Sequence, residues 1–339
     1  MTACGYLWGV PAPTRLVATA VPAIVAWCRS RRLRRPMLVG GGSLTAAPRG
    51  LGIVHALESE GLAVWAFDRA ASPSLVAVAD AVAGYHFENC DAVIAIGGGV
   101  AMEVAKAAAL MTAQRSPYRD LAAEPGGDGE PVDASGIPAL LAVPTTPAAA
   151  LAVGAAAWIA DDAGIARPLR HPALRPGEAI LAADLVAAVP PAASDRSVAL
   201  AALIAADAGV PEPELAGLLG DAGAAPAAGD PMRAALGLAA AVEGAGGPRR
   251  RIALTAAVAS GADFGATMAA LAAPASWLDG VRARLGPALD APPLDARMVR
   301  AARSACGPED AADLDGVAET AGLDGTDAPR RRGRRGRAA

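Results

Sequence analysis

Lysine, asparagine and glutamine occur once each, as Lys106, Asn89 and Gln114, and aromatic residues make up only 3% of the 339-residue chain. With so few rings, the core must be built from Ala, Val, Leu and Ile, with modest burial per residue. Arginine abounds where lysine is missing, a bias that follows GC-rich coding and says little about fold. Four cysteines, Cys4, Cys28, Cys90 and Cys306, stand far apart without a CxxC pair. Neither a zinc ribbon nor a disulfide framework is expected from them, and reduced thiols in the cytoplasm are. The formal net charge of −4 is small for this length and argues for neither a nucleic-acid nor an anionic-membrane partner. The opening MTACGYLWGVPAPTR has no basic segment before an apolar one, so no signal peptide is expected. Residues 137–160 are nearly uncharged, but Pro138, Pro144 and Pro147 interrupt them, which argues against a membrane span.

A hydrophobic content of 53% over this length is enough for two domains with their own cores. Apolar spacing predicts a helix over Thr14–Arg31, a strand at Met37–Val39 closed by Gly40-Gly41-Gly42-Ser43, and a further helix through Leu57. The unit repeats with strands at Leu62–Phe67 and Ala92–Ile96, each followed by a helix, over Ser74–Phe87 and Val100–Met111. Such alternation implies an α/β fold with a parallel sheet and right-handed crossovers. Residues 115–136 read as an exposed loop, and Ala139–Val143 as a buried strand running into Pro144-Thr145-Thr146. Beyond about residue 185 the Ala-rich stretches 196–208, 231–243 and 252–274 read as helices. The expected organisation is a Rossmann-like domain over 1–185, an all-α helical domain over 186–325 and a disordered Arg-rich tail over 326–339.

Three consecutive glycines, Gly97, Gly98 and Gly99, follow the strand Ala92–Ile96 and open a helix. Glycine lets backbone approach a pyrophosphate without a Cβ in the way, and the helix N-terminus offers free N–H groups to the anion. The same triplet also serves a tight strand-to-helix turn, so both readings stand at this point. The wider segment, Asp91-Ala-Val-Ile-Ala-Ile-Gly97-Gly98-Gly99-Val100-Ala-Met-Glu103-Val-Ala-Lys106, resembles the motif of iron-type alcohol dehydrogenases and their relatives, glycerol dehydrogenase and dehydroquinate synthase. Pro138 to Thr146 is similar to that family's Pro-Thr-Thr strand end, and Leu174 through Asp184-Leu185 to Pro190-Pro191 to the approach to its helical domain.

The resemblance implies NAD or NADP as cofactor, its pyrophosphate on Gly97, Gly98 and Gly99. Thr145 and Thr146 would lie against the nucleotide, Glu103 would stand in the cofactor motif, and Arg167 would fall near the ribose where the family has a lysine. Thr145 and Thr146 also suit a strand end and a helix cap. Lys106 is the candidate catalytic residue, with a solvated helix position as its alternative. Several positions depart from the family. Gly41 stands where an acidic residue would select NAD, Val100 replaces a serine, and Pro147-Ala-Ala-Ala-Leu-Ala replaces the segment after Pro-Thr-Thr. The family's iron or zinc is held by an aspartate and histidines, whereas the matching positions here are Leu200 and Ile204. No histidine follows His171, and His55, His86 and His171 lie on separate predicted elements, so no metal is expected.

These features predict a dehydrogenase-family protein acting between a dinucleotide and a small alcohol or carbonyl substrate, alone, as a homodimer or with a partner protein. Specialised metabolism such as peptide natural-product tailoring is the expected setting. A catalytically silent accessory subunit and a non-redox protein binding another phosphate ligand are the alternatives.

Overall fold

The computed structural model describes residues 12–42, 44–121, 131–211 and 230–245, together with Leu215, Leu218, Ala253, Leu254, Ala257 and Met268. The strands are β1 (Thr14–Val17), β2 (Pro36–Val39), β3 (Trp65–Phe67), β4 (Ala92–Gly97), β5 (Ala139–Pro144), β6 (Ala156–Ala160), β7 (Ala166–Arg170) and β8 (Glu178–Ala182). The helices are α1 (Ala20–Ser30), α2 (Pro48–Ser59), α3 (Leu75–Phe87), α4 (Gly99–Met111), α5 (Tyr118–Leu121), α6 (Pro147–Leu151), α7 (Ala183–Val186), α8 (Pro191–Asp207) and α9 (Asp230–Ala245). Six strands form one sheet in the order β1-β8-β5-β4-β2-β3, and every pairing is parallel. The fold is α/β, as the alternation of strands and helices implies.

Side-chain alternation explains why both faces of the sheet are covered. Met37, Val39, Val93, Ala95, Leu140 and Ala142 face a core shared with α3, α4, α6, α8 and α9. Leu38, Ile94, Ile96, Leu141, Val143 and Ile180 face the opposite core, with Ile24 and Trp27 of α1 and Leu57 of α2. The described helices beyond residue 190 therefore pack on the sheet domain and share its larger core.

Helix α4 is the centre of that core. Every residue from Ala101 to Leu110 is buried, which its alanines permit because they let neighbouring elements approach on all sides. From β2 the chain moves to β3 on one side and returns to β4 on the other, so its direction across the sheet reverses at β2. Gly40–Gly42 and Gly97–Gly99 stand at the carboxyl ends of β2 and β4. Asp68, just past β3, braces the first loop by accepting from the Gly42 and Thr45 N–H groups, each at 2.7 Å.

Several elements differ from the sequence expectation. Thr14–Val17 is a strand and α1 starts only at Ala20. Its partner is β8, paired from Thr14–Ala179 to Val17–Ala182, so the cause of its extended state lies far away in sequence. Pro22 is the local sign, since proline is accommodated in a helix only in the first turn. The hairpin β6–β7 and strand β8 are additional. β6 is wholly apolar and Ala-rich without alternation, and β7 carries Pro168, which only an edge strand tolerates. The expected loop over 115–136 contains the short helix α5, whose Tyr118 is buried. The 252–274 helix is described only at Ala253, Leu254, Ala257 and Met268, all helical, and the Arg-rich tail lies outside the described residues. Among the described residues no helix is long and apolar enough to cross a membrane.

Two substitutions test this packing. Asp184 caps α1 by accepting from Ala20 N at 3.1 and 3.3 Å, so Asp184→Ala is expected to lower unfolding free energy by about 1 kcal/mol. A Cβ at Gly84 would lie 2.0 Å from the Trp65 ring. Gly84→Ala is thus expected to cost roughly 1–3 kcal/mol through overpacking. Urea unfolding measures both, and an unchanged midpoint would contradict the packing described.

Candidate functional site

A cavity of about 280 Å³ lies between the α4 N-terminus and α8, at the carboxyl edge of the sheet. Gly99, Val100 and Glu103 line one side, Thr146 and Ala148 the end of β5 and start of α6, and Trp158 the hairpin side. Arg196, Ser197, Leu200 and Ile204 line the α8 side. These four sit at helical spacing, so one face of α8 forms that wall. Ser197 Oγ accepts from Ala148 N at 3.0 Å and ties α8 to the start of α6.

The glycine loop divides into one residue that the backbone requires and two that it does not. Gly97 has φ +133°, which side chains rarely adopt. Its carbonyl accepts from Thr145 N at 3.0 Å, joining the ends of β4 and β5. Gly98 has an ordinary extended conformation, and a Cβ at Gly98 or Gly99 would meet nothing within 4 Å. Neither backbone nor packing demands glycine at these two positions. Open space there, beside a helix N-terminus whose first N–H groups have no partner within the helix, suits the close approach of a phosphate.

Glu103 and Lys106 are the two charged side chains buried among the described residues, at 5% and 2% exposure. They pair with each other, Lys106 Nζ to Glu103 Oε2 at 3.2 Å. Both also hold β6. Glu103 Oε2 accepts from Trp158 N at 3.1 Å, and Lys106 Nζ donates to the Ala156 carbonyl. Tyr118 adds a third tie, its hydroxyl donating to the Ala157 carbonyl at 3.1 Å. Burial, and then the Glu103 charge, push the Tyr118 hydroxyl well above its ordinary pKa, so it remains a donor. Lys106 therefore lies beneath the cleft floor, and Glu103 stands between it and the cleft.

The structure brings Gly99, Glu103 and Thr146 together on the cleft, with Gly97 and Gly98 leading into it. Thr145 joins through its backbone bond to Gly97, while Thr146 also stands at the N-cap of α6 without a side-chain capping bond. Arg167 lies on β7, its Nε 2.7 Å from Asp161 Oδ2, and is not among the cleft-lining residues. Burial alone would raise the Asp161 carboxyl, but the Arg167 bond and the N–H groups of Ile165 and Ala163 hold its pKa low. Sequence reasoning missed Arg196, Ser197 and Trp158. The signal for Arg196 is its spacing, one helical turn before Leu200 and two before Ile204.

A metal does not fit the described wall. Leu200 and Ile204 carry no donor atom, and among the described residues no group of three or more His, Cys, Asp or Glu converges. His55 and His86 are exposed on α2 and α3, and His171 Nδ1 accepts from Ala173 N at 3.1 Å. Burial lowers the His171 pKa.

Breaking the buried pair from one side leaves an uncompensated charge. Lys106→Met alone is expected to destabilise by roughly 3–5 kcal/mol, and the double variant Glu103→Gln, Lys106→Met to recover much of that loss. Thermal unfolding of wild type, both single variants and the double variant reads the coupling, and additive single effects would contradict it.

Comparison with known proteins follows this geometry. The family described as iron-containing alcohol dehydrogenase matches residues 13–183. A 4-hydroxybutyrate dehydrogenase from Cupriavidus necator is 32% identical over 146 residues, covering 43% of this chain and only 37% of that relative. The solved structure of a 1,3-propanediol oxidoreductase aligns with TM-score 0.64 and 17% identity, covering 93% of this chain and 87% of its own. An iron-containing alcohol dehydrogenase from Thermotoga maritima aligns with TM-score 0.60 and 17% identity, covering 93% and 92%. These two share the fold. The family match spans β1 to β8 and both glycine loops, the parts that build the sheet side of the cleft, and on it the chain belongs to the iron-containing alcohol dehydrogenase family.

Proposed function

We propose that this protein is an NAD(P)-linked dehydrogenase that interconverts an alcohol and a carbonyl compound without the family's metal. The observation that carries the reading is the pair Gly98 and Gly99, glycines that neither a positive φ nor packing requires, opening onto a cleft with polar groups on several sides. Gly97 to Gly99 and the α4 N-terminus would hold the pyrophosphate, with Thr145 and Thr146 against the nucleotide and Arg167 toward the ribose. A dinucleotide held there would supply or accept the hydride. The cleft walls hold the substrate carbon chain on Leu200, Ile204 and Trp158 and shield it from water. The Ser197 and Thr146 hydroxyls are the groups placed to hydrogen-bond a substrate oxygen. Lys106 acts as a positioning residue, fixing Glu103 and Trp158 at the cleft floor.

The family match stops at residue 183, so α8 and its aliphatic pair lie outside it. That pair also favours a second reading, a silent subunit that binds dinucleotide while a partner carries the chemistry. A division near 185 and 186 between nucleotide and helical parts fits this assignment of roles.

Calorimetry with NADH and NADPH tests the shared part of both readings. Wild-type protein is expected to bind at least one of them, and Gly98→Val to weaken it by more than about tenfold while lowering the melting temperature by no more than the few degrees that loss of a glycine N-cap costs. Absence of binding to both would leave the loop to another phosphate-bearing ligand. Turnover with aldehydes after extensive chelation then separates the active from the silent reading.

A further inference from the structure

Arg196 is the unassigned group on the cleft. Resting on the dehydrogenase reading above, we propose that Arg196 anchors a carboxylate on the substrate, so that this protein acts on a short hydroxy or oxo acid. The charges lining the cleft differ in how they are compensated. Glu103 is paired with Lys106, whereas Arg196 makes no ion pair among the described residues. Its neighbours along the same face of α8, Leu200 and Ile204, are aliphatic, and Trp158 and Leu254 complete an apolar surround. Arg196 is itself exposed at the α8 rim of the cleft, so the fit of guanidinium to carboxylate, and not a low dielectric, carries the attraction.

The chemistry of the anion follows from what stands nearby. One planar guanidinium matches one planar carboxylate with two parallel hydrogen bonds. A phosphate dianion would call for further positive groups, and among the described residues the other charged side chain on the cleft is the carboxylate of Glu103. Size follows from the volume. A cavity of about 280 Å³ that must also receive a nicotinamide ring leaves room for only a small substrate. Along α8, Arg196 lies roughly 6 Å from Leu200 and roughly 12 Å from Ile204. A carboxylate at Arg196 therefore directs a short chain along the aliphatic wall from the rim of the cleft.

Reduction of 4-oxobutanoate and of butanal by wild type, Arg196→Gln and Arg196→Lys tests the assignment. Wild type is expected to show a KM for 4-oxobutanoate about tenfold to hundredfold below that for butanal, as loss of one charge-assisted pair implies. In Arg196→Gln that preference collapses while NAD(P)H affinity and kcat for butanal are retained, and Arg196→Lys recovers part of it. Equal loss on both aldehydes, or weakened NAD(P)H binding, would overturn the proposal and give Arg196 to the cofactor. Should neither aldehyde turn over, the dehydrogenase reading fails, and calorimetry on the cofactor-bound protein still decides the anchor. Arg196-dependent binding of 4-hydroxybutyrate over butan-1-ol supports it; absent or Arg196-independent binding, or tighter binding of butylphosphonate, overturns it.

Discussion

The ion pair between Glu103 and Lys106 sets the position of everything on the hairpin side of the cleft. Two opposite charges are buried in an alanine-lined helix, where desolvation is costly unless each finds further partners. They find them on β6, at Trp158 N and the Ala156 carbonyl, so the same bonds that satisfy the charges dock the hairpin onto α4. Trp158 thereby becomes a wall of the cleft, and Ala160 N, bonded to Pro73 O at 2.8 Å, brings the loop before α3 to the same rim. The only lysine of the chain is used here as a structural clasp under the floor.

Around this clasp the two halves of the molecule have different characters. The sheet side is shaped by backbone requirements: positive φ at Gly97, a parallel edge at which chain direction reverses, and glycines beside open space. The α8 side is shaped by side chains, aliphatic at Leu200 and Ile204 and cationic at Arg196. A cleft with open backbone at one edge and an apolar opposite wall suits the proposed pairing of a dinucleotide with a small organic molecule. It has, among its described residues, no set of donors for a metal ion.

Much of this was legible in the sequence because it is local. The glycine triplet, the strands β4 and β5, and the helix α4 carry their own patterns, and the resemblance built on them agrees with the family match. Leu200 and Ile204, singled out from the sequence, do line the cleft. What was not legible depends on distant partners. β1 is extended because β8 pairs with it, and β6 is a strand because Glu103, Lys106 and Tyr118 hold it, which no window of Ala and Ile reveals. The pairings of Lys106 with Glu103 beneath the cleft and of Arg167 with Asp161 are likewise made by the fold and are not written in the motif.

The central claim is that hydride transfer takes place in this cleft without a metal. Its most direct measurement is transfer of deuterium from NAD(P)H labelled at the nicotinamide C4 to a carbonyl substrate, using protein exhaustively treated with chelator and shown free of metal by elemental analysis. The account predicts deuterium on the carbinol carbon of the product, at a rate that added iron or zinc does not raise. Label transfer that is absent from the metal-free protein and restored by either metal would contradict it.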